Sequence, residues 1–300
     1  INIDNINFYN RLDSTAINQI LGTKKIKNQI NFVNPHTYVI SKTDYNFFNT
    51  LKNSNYNFID GVGLSLLFRI LFKKKIYRNT GYNIFIRFLK KVNKNKKILF
   101  IGSTKNELKI IKNKCQKNFN LKKINCYSPP FKSNFDKNDL DKILFKVDKF
   151  KPDYIFLGIS APKQEKLAQF IKKRSTHDFS LIFCIGAAFD YFTGNLPRPS
   201  ENISKYGLEW LYRFYKQPKV IWKRLLITGP IYLIVFLKKI FSINLNSKKI
   251  PEIKEKILQN NKNKGVQLTI ATIVKNSNLN IELTINQVLE NINEKIQYIY

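Results

Sequence analysis

Apolar residues along this chain come in short runs that stop at a glycine, an aspartate or a polar turn and then give way to helical spacing. Residues Ile26–Ile40 read as a strand, the polar turn Asn34-Pro35-His36 and the start of a helix. Tyr56–Ile59 reads as a short strand stopping at Asp60-Gly61-Val62-Gly63, with helical spacing over Leu64–Phe72. Lys96–Ile101 is a strand ending in Gly102-Ser103-Thr104, followed by a helix over Glu107–Asn118. Lys122–Tyr127 and Asp153–Leu157 are further strands, with helices over Asp139–Phe150 and Pro162–Arg174, and Ser180–Ile185 ends in Gly186-Ala187-Ala188. Strands that are apolar throughout are covered on both faces, as in parallel sheets built from βαβ units. The pattern predicts an α/β fold: a Rossmann-like, mostly parallel sheet with helices on both faces, whose ligands sit outside the carboxyl ends of the strands.

Beyond Pro197 the pattern changes. Aromatic and basic residues interleave (Trp210, Arg213, Phe214, Lys216, Trp222, Arg224), and an apolar run, Leu225–Leu237, is interrupted at Gly229-Pro230 and closed by Lys238-Lys239. A spanning helix needs about 20 apolar residues, so this run reads either as a core helix or as a helix lying in a membrane interface. The expected organisation is a Rossmann-like core over 1–200, a basic, apolar membrane-associating appendage over 201–241, a Lys/Asn-rich linker over 242–265 and a small helical module over 266–300.

Composition narrows the classes. Of the 300 residues 43% are hydrophobic and 14% aromatic, enough to build a core and too many for a disordered chain. Cys115, Cys126 and Cys184 are an odd count without CxxC spacing, which fits a reducing compartment rather than a disulfide framework or a zinc knuckle. Lys and Arg total 52 against 20 acidic residues, a formal net charge of +32. That balance suits a phosphate-rich ligand, an anionic membrane or a nucleic acid, or forms a solvated basic surface. Nucleic-acid binding leaves the acidic and Gly-rich residues at the strand ends unexplained, so no nucleic-acid partner is expected.

Those strand ends hold the candidate chemistry. Asp60 could act as a general base, bind a ribose or cap the following helix. Gly61, Gly63, Gly102 and Gly186 would let backbone N–H groups approach a diphosphate, as phosphate-cradling loops do. Lys163 and Gln164 open a helix facing the same crevice, and Asp190 could orient a neighbouring cation. There is no GxGxxG, no P-loop, no DxD pair at a strand end and no His/Cys/carboxylate cluster with metal spacing, so neither cofactor nor metal is expected.

The order of the motifs is more specific than any one of them. NPH, IDGVG, RNTG (Arg78–Gly81), LGISAPKQE, GAAFDYFTG, RP and GLEWLYR follow one another in a way that resembles the WecG/TagA/CpsF glycosyltransferases, glycosyltransferase family 26, over about residues 5–240. The resemblance implies an inverting enzyme of cell-envelope polysaccharide synthesis, peripheral on the cytoplasmic face of the bacterial inner membrane. It would move N-acetylmannosamine, its uronic acid or glucose from a UDP donor to a polyprenyl-diphosphate-linked acceptor, with self-association left open. Carried over, Asp60 becomes the catalytic base, Asn34 and Gln164 lie near the donor, and Arg213 and Arg224 bind the lipid diphosphate. Arg78 and Lys163 are then the cations expected to stabilise the departing UDP. Phe32 stands where the family often has Thr, and Asn83 where members carry Asp, which leaves the sugar open.

Overall fold

The structure, a computed structural model, describes residues 1–22, 26–200, 203 and 208–241. The expected linker and helical module, 242–300, lie outside the described residues. A hairpin of β1 (Asn2–Ile3) and β2 (Ile6–Asn7) precedes α1 (Asp13–Leu21). Strands β3 (Asn28–Val33), β4 (Tyr56–Ile59), β5 (Lys97–Gly102), β6 (Lys123–Tyr127), β7 (Tyr154–Gly158) and β8 (Leu181–Cys184) form one sheet. Its order is β4-β3-β8-β7-β5-β6, and every pairing is parallel.

The sheet is buried on both sides because its strands alternate between two apolar clusters. On β5, Ile98 and Phe100 join one cluster while Leu99 and Ile101 join the other. The first is aromatic: Phe156 and Phe183 stack with ring centroids 4.5 Å apart, and Phe85 and Phe88 of α5 (Gly81–Lys91) meet Phe156 edge-on. Helices α7 (Lys137–Phe150) and α8 (Lys163–Arg174) cover the second face. A third cluster joins the hairpin, α2 (Pro35–Thr43), α3 (Tyr45–Lys52) and α4 (Val62–Phe72).

Several helices begin immediately at the strand ends because the sequence caps them there. Asn34 and Thr37 form a capping box on α2, ahead of Pro35 at the first helical position. Thr104 and Glu107 do the same for α6 (Lys105–Phe119), while Asp136 and Asp139 form the capping box of α7 at the end of the longer loop after β6. The helix after β4 starts at Val62, two residues earlier than its apolar spacing suggests, which places Gly63 inside the first helical turn. The hairpin, α1, α3, α5 and the short α9 (Ala188–Thr193) add to the elements read from the pattern.

The chain stays helical through Gly229-Pro230, in keeping with the helix read over Leu225–Leu237. Helices α10 (Glu209–Lys216) and α11 (Pro218–Lys223) lead into a π-helical turn, Arg224–Thr228, and the chain continues helical over 229–241. Pro230 has no N–H to donate, and a widened turn ahead of it makes room for its ring. Tyr232, Val235 and Phe236 pack against the third cluster, whereas Ile231, Leu233, Ile234, Leu237 and Phe241 are exposed. No helix among the described residues is long and apolar enough to cross a membrane.

Candidate active site

A cavity of about 1020 Å³ opens at the carboxyl ends of the strands. It brings together Asn34, Asp60, Gly102, Lys163, Gln164, Gly186, Asp190, Arg213 and Arg224, residues spread over most of the described chain. Gly61, Gly63 and Arg78 are not in its lining. A Cβ on Gly63 would stand 3.0 Å from Pro35 Cγ and 3.4 Å from the Tyr232 ring, so this glycine lets α2 and the 229–241 helix pack closely. Gly61 has φ +80° and serves as the N-cap of α4. Arg78 Nη2 lies 3.8 Å from Glu209 Oε1, and it is Glu209 that reaches the cavity.

Asp60 follows β4, and its N–H donates to the Val33 carbonyl at 2.8 Å. Its Oδ1 accepts the N–H of Gly61, the N-cap of α4, at 2.7 Å. Burial pushes the carboxyl up to about 6, and the Glu209 charge adds to the push. Arg78, the Gly61 N–H and Arg213 oppose it. A carboxylate titrating there is ionised at neutral pH yet a better proton acceptor than a free aspartate.

Other side chains are tied into the framework. Asn34 Oδ1 accepts the Thr37 N–H at 3.0 Å, so its oxygen serves the cap of α2. His36 Nδ1 is 2.9 Å from Thr228 Oγ1, joining α2 to the π turn, and burial with the nearby Arg224 charge holds its imidazole down to about 4. The Lys163 ammonium donates to the Lys132 carbonyl and lies 4.6 Å over the Phe135 ring. It therefore fastens the loop after β6 beside the cavity. Burial raises the titration of Asp190, the Glu107 charge adds to this, and Arg213 opposes it.

Glycine is obligatory at one convergence of strands. Gly102 has φ +121°, and a Cβ there would lie 2.4 Å from the Gly158 carbonyl oxygen. On Gly158 a Cβ would stand 2.0 Å from the Phe189 ring.

Arg213 and Arg224 face the cavity from the appendage. Arg213 Nε is buried without a hydrogen-bond partner among the described residues. Burial and the neighbouring Arg213 charge push Arg224 below its usual range. A desolvated guanidinium beside a second one whose Nε has no partner makes a site an anion would relieve. Sequence reasoning missed Glu209, Tyr191 and the lip Pro129-Pro130-Phe131, all of which line the cavity. Glu209 lies inside the GLEWLYR motif, the one signal that could have marked it. Among the described residues no three His, Cys, Asp or Glu side chains gather as a metal site would need.

The sequence model of the glycosyl transferase WecG/TagA/CpsF family matches residues 1–246. The chain belongs to that family. This glycosyltransferase is similar to a Bacillus subtilis (strain 168) protein named N-acetylglucosaminyldiphosphoundecaprenol N-acetyl-beta-D-mannosaminyltransferase, at 28% identity over 240 residues, 80% of this chain and 88% of that protein. It is also similar to the Shigella boydii UDP-Gal:alpha-D-GlcNAc-diphosphoundecaprenol beta-1,4-galactosyltransferase, at 30% identity over 229 residues, 74% of this chain and 91% of that protein.

Proposed function

We propose that this glycosyltransferase moves a sugar, with inversion, from a UDP donor to a polyprenyl-diphosphate-linked acceptor in cell-envelope polysaccharide synthesis. The observation that carries the reading is Asp60, titrating near 6, in one cavity with Arg213 and Arg224. The donor diphosphate would lie against the backbone at Gly102 and Gly186, beside the amino end of α6, where main-chain N–H groups and the helix dipole favour anions. Asp60 takes the proton of the acceptor hydroxyl as its oxygen attacks the anomeric carbon, and UDP leaves with the electrons of the broken bond. Arg213 and Arg224 hold the acceptor's diphosphate, and Asn34, Gln164 and Asp190 shape the donor side. Arg78 acts from outside the cavity, through Asp60 and Glu209, and Lys163 by holding the loop after β6.

The exposed Trp210, Leu211, Phe214, Trp222, Leu226 and Ile227, with Lys216 and Lys219 in the same segment, suit the surface of an anionic membrane. There the enzyme would meet the lipid acceptor as a peripheral protein on the cytoplasmic face. The relatives' names differ in the sugar, so the donor is assigned by experiment. The protein is incubated with a panel of UDP-sugars, including those of N-acetylmannosamine, its uronic acid, glucose and galactose, and a short-chain polyprenyl-diphosphate-GlcNAc acceptor. One donor is expected to add one sugar by mass spectrometry; no transfer from any of them would overturn the proposal.

A further inference from the structure

Next to the cavity lies a buried carboxyl group that the proposed chemistry does not use. Glu165, on the first turn of α8, is 1% exposed. Its Oε1 accepts the Gln164 Nε2–H at 2.8 Å, while its Oε2 is buried with no hydrogen-bond partner. Gln29 on β3 contributes a second orphan acceptor. Its Nε2 donates to the Glu165 main-chain carbonyl at 3.2 Å and to Asn31 Oδ1 at 3.0 Å, which leaves its buried Oε1 unpartnered. The charged and titratable groups packed around Glu165 offer no counter-ion. On β8 the Cys184 thiol is pushed far up by burial and stays neutral. On α8 the Lys172 ammonium donates to Asn55 Oδ1 at 3.2 Å, and Lys166 pairs with Asp44, the N-cap of α3, at 2.5 Å. A buried carboxylate without a cation is costly, whereas one proton on Glu165 removes the charge and supplies the donor this pocket lacks.

Glu165 also touches a group that does reach the cavity. Gln164 is 5% exposed; its Nε2 donates to Glu165 Oε1 and, at 3.3 Å, to the Cys184 carbonyl. Its Oε1 accepts the Gly186 N–H at 2.9 Å, and Gly186 sits in a left-handed conformation with φ +52°. Were the Gln164 amide turned over, its NH2 would face the Gly186 N–H, donor against donor.

We propose that Glu165 is a positioning residue held as the neutral acid, whose hydrogen bond sets the Gln164 amide so that Gln164 Oε1 keeps the Gly186 turn in the shape that receives the donor diphosphate. This rests on the assignment of the cavity to a UDP-sugar. Burial holds the Glu165 carboxyl up to about 7, opposed by the hydrogen bonds from Gln164 and from its own main-chain N–H. Donor binding is therefore strongest below that pH and weakens above it, as the charged carboxylate abandons its buried position.

The test is titration calorimetry of the full chain with UDP-galactose and UDP-N-acetylmannosamine, whose diphosphates release no proton near neutrality. Wild-type affinity is expected to fall by up to about 30-fold between about pH 6 and pH 8.5, the charged-to-neutral ratio about 1.5 pH units above the titration point. Glu165→Gln keeps both hydrogen-bonding roles and should bind as the wild type does at low pH, without the alkaline fall. Glu165→Ala should bind weakly throughout, and in a Gln164→Ala background Glu165→Gln should bring no gain. Wild-type binding independent of pH, or Glu165→Gln as weak as Glu165→Ala, overturns the inference while the donor assignment stands. Absence of binding by the wild type at every pH overturns the donor assignment instead, and thermal melts then decide on the neutral acid alone. The folded carboxyl keeps a proton that the unfolded chain releases near 4.5, so its stabilisation is present below that pH and lost as pH rises through about 7. Glu165→Gln should remove that part of the fall in Tm; parallel Tm profiles for the two proteins overturn the inference.

Discussion

Glu209 on α10 acts on Asp60 at the end of β4, and after burial its charge is the largest cause of the Asp60 carboxyl's rise to about 6. The appendage thus tunes the proposed catalytic base as well as contributing arginines to the cavity. Removing a like charge makes Asp60 easier to ionise, so Glu209→Gln is expected to move the acid limb of the kcat profile to lower pH. Arg213→Ala removes an opposing cation and should move the same limb upward, although acceptor binding falls too. A limb that stays in place in both variants would show that it does not report Asp60.

Asp60→Asn removes the proton acceptor while preserving the shape of the side chain. Turnover is expected to fall by about 10²–10⁴, the usual contribution of a positioned base, with little change in donor affinity. Activity within a few-fold of wild type in a folded variant would leave Asp60 as a binding group only.

Where β5 and β7 end, there is no space for a methyl group. Gly102→Ala meets both a positive φ and a carbonyl oxygen, and Gly158→Ala meets the Phe189 ring. Each is expected to cost about 2–4 kcal/mol of stability, read from urea unfolding. Gly194, which also has a positive φ but nothing within 4 Å of an added Cβ, should lose less when replaced by Ala.

Asp4 holds the hairpin to α2 and to the 229–241 helix, accepting from Lys239 at 2.6 Å and from Lys42 and Tyr38. Burial raises its titration, but those three hydrogen bonds outweigh this and hold it down to about 2. Its stabilisation is therefore present above about pH 4 and lost as pH falls through about 2. Asp4→Asn should lower Tm at neutral pH and weaken its dependence on acid, measured by thermal melts from about pH 2 to 7.

The appendage's exposed apolar residues give a membrane test that leaves the cavity untouched. Replacing Leu226 and Ile227, both exposed, by Asp is expected to reduce cosedimentation with vesicles rich in anionic lipid. Binding of the wild type should weaken as salt screens the basic residues. Undiminished sedimentation of the double variant would place the contact elsewhere.

Short apolar runs closed by Gly or Asp dictate a parallel sheet on their own, because only strands covered on both faces can be apolar throughout. The boundaries of those strands and the order of motifs that marks the family are likewise written in local sequence. Cavity membership is not. Arg78, Gly61 and Gly63 belong to promising motifs yet point away from the lining or pack on neighbours, while Glu209 enters from a segment far along the chain. The strand order decides this, since it sets β3 beside β8 and so brings Gln29 to Glu165 and Asn34 into the same cavity as Gly186. Periodicity records which face of an element is buried; which groups then meet, and the charges they acquire from burial, depend on contacts between residues far apart in sequence, and only the folded chain makes those.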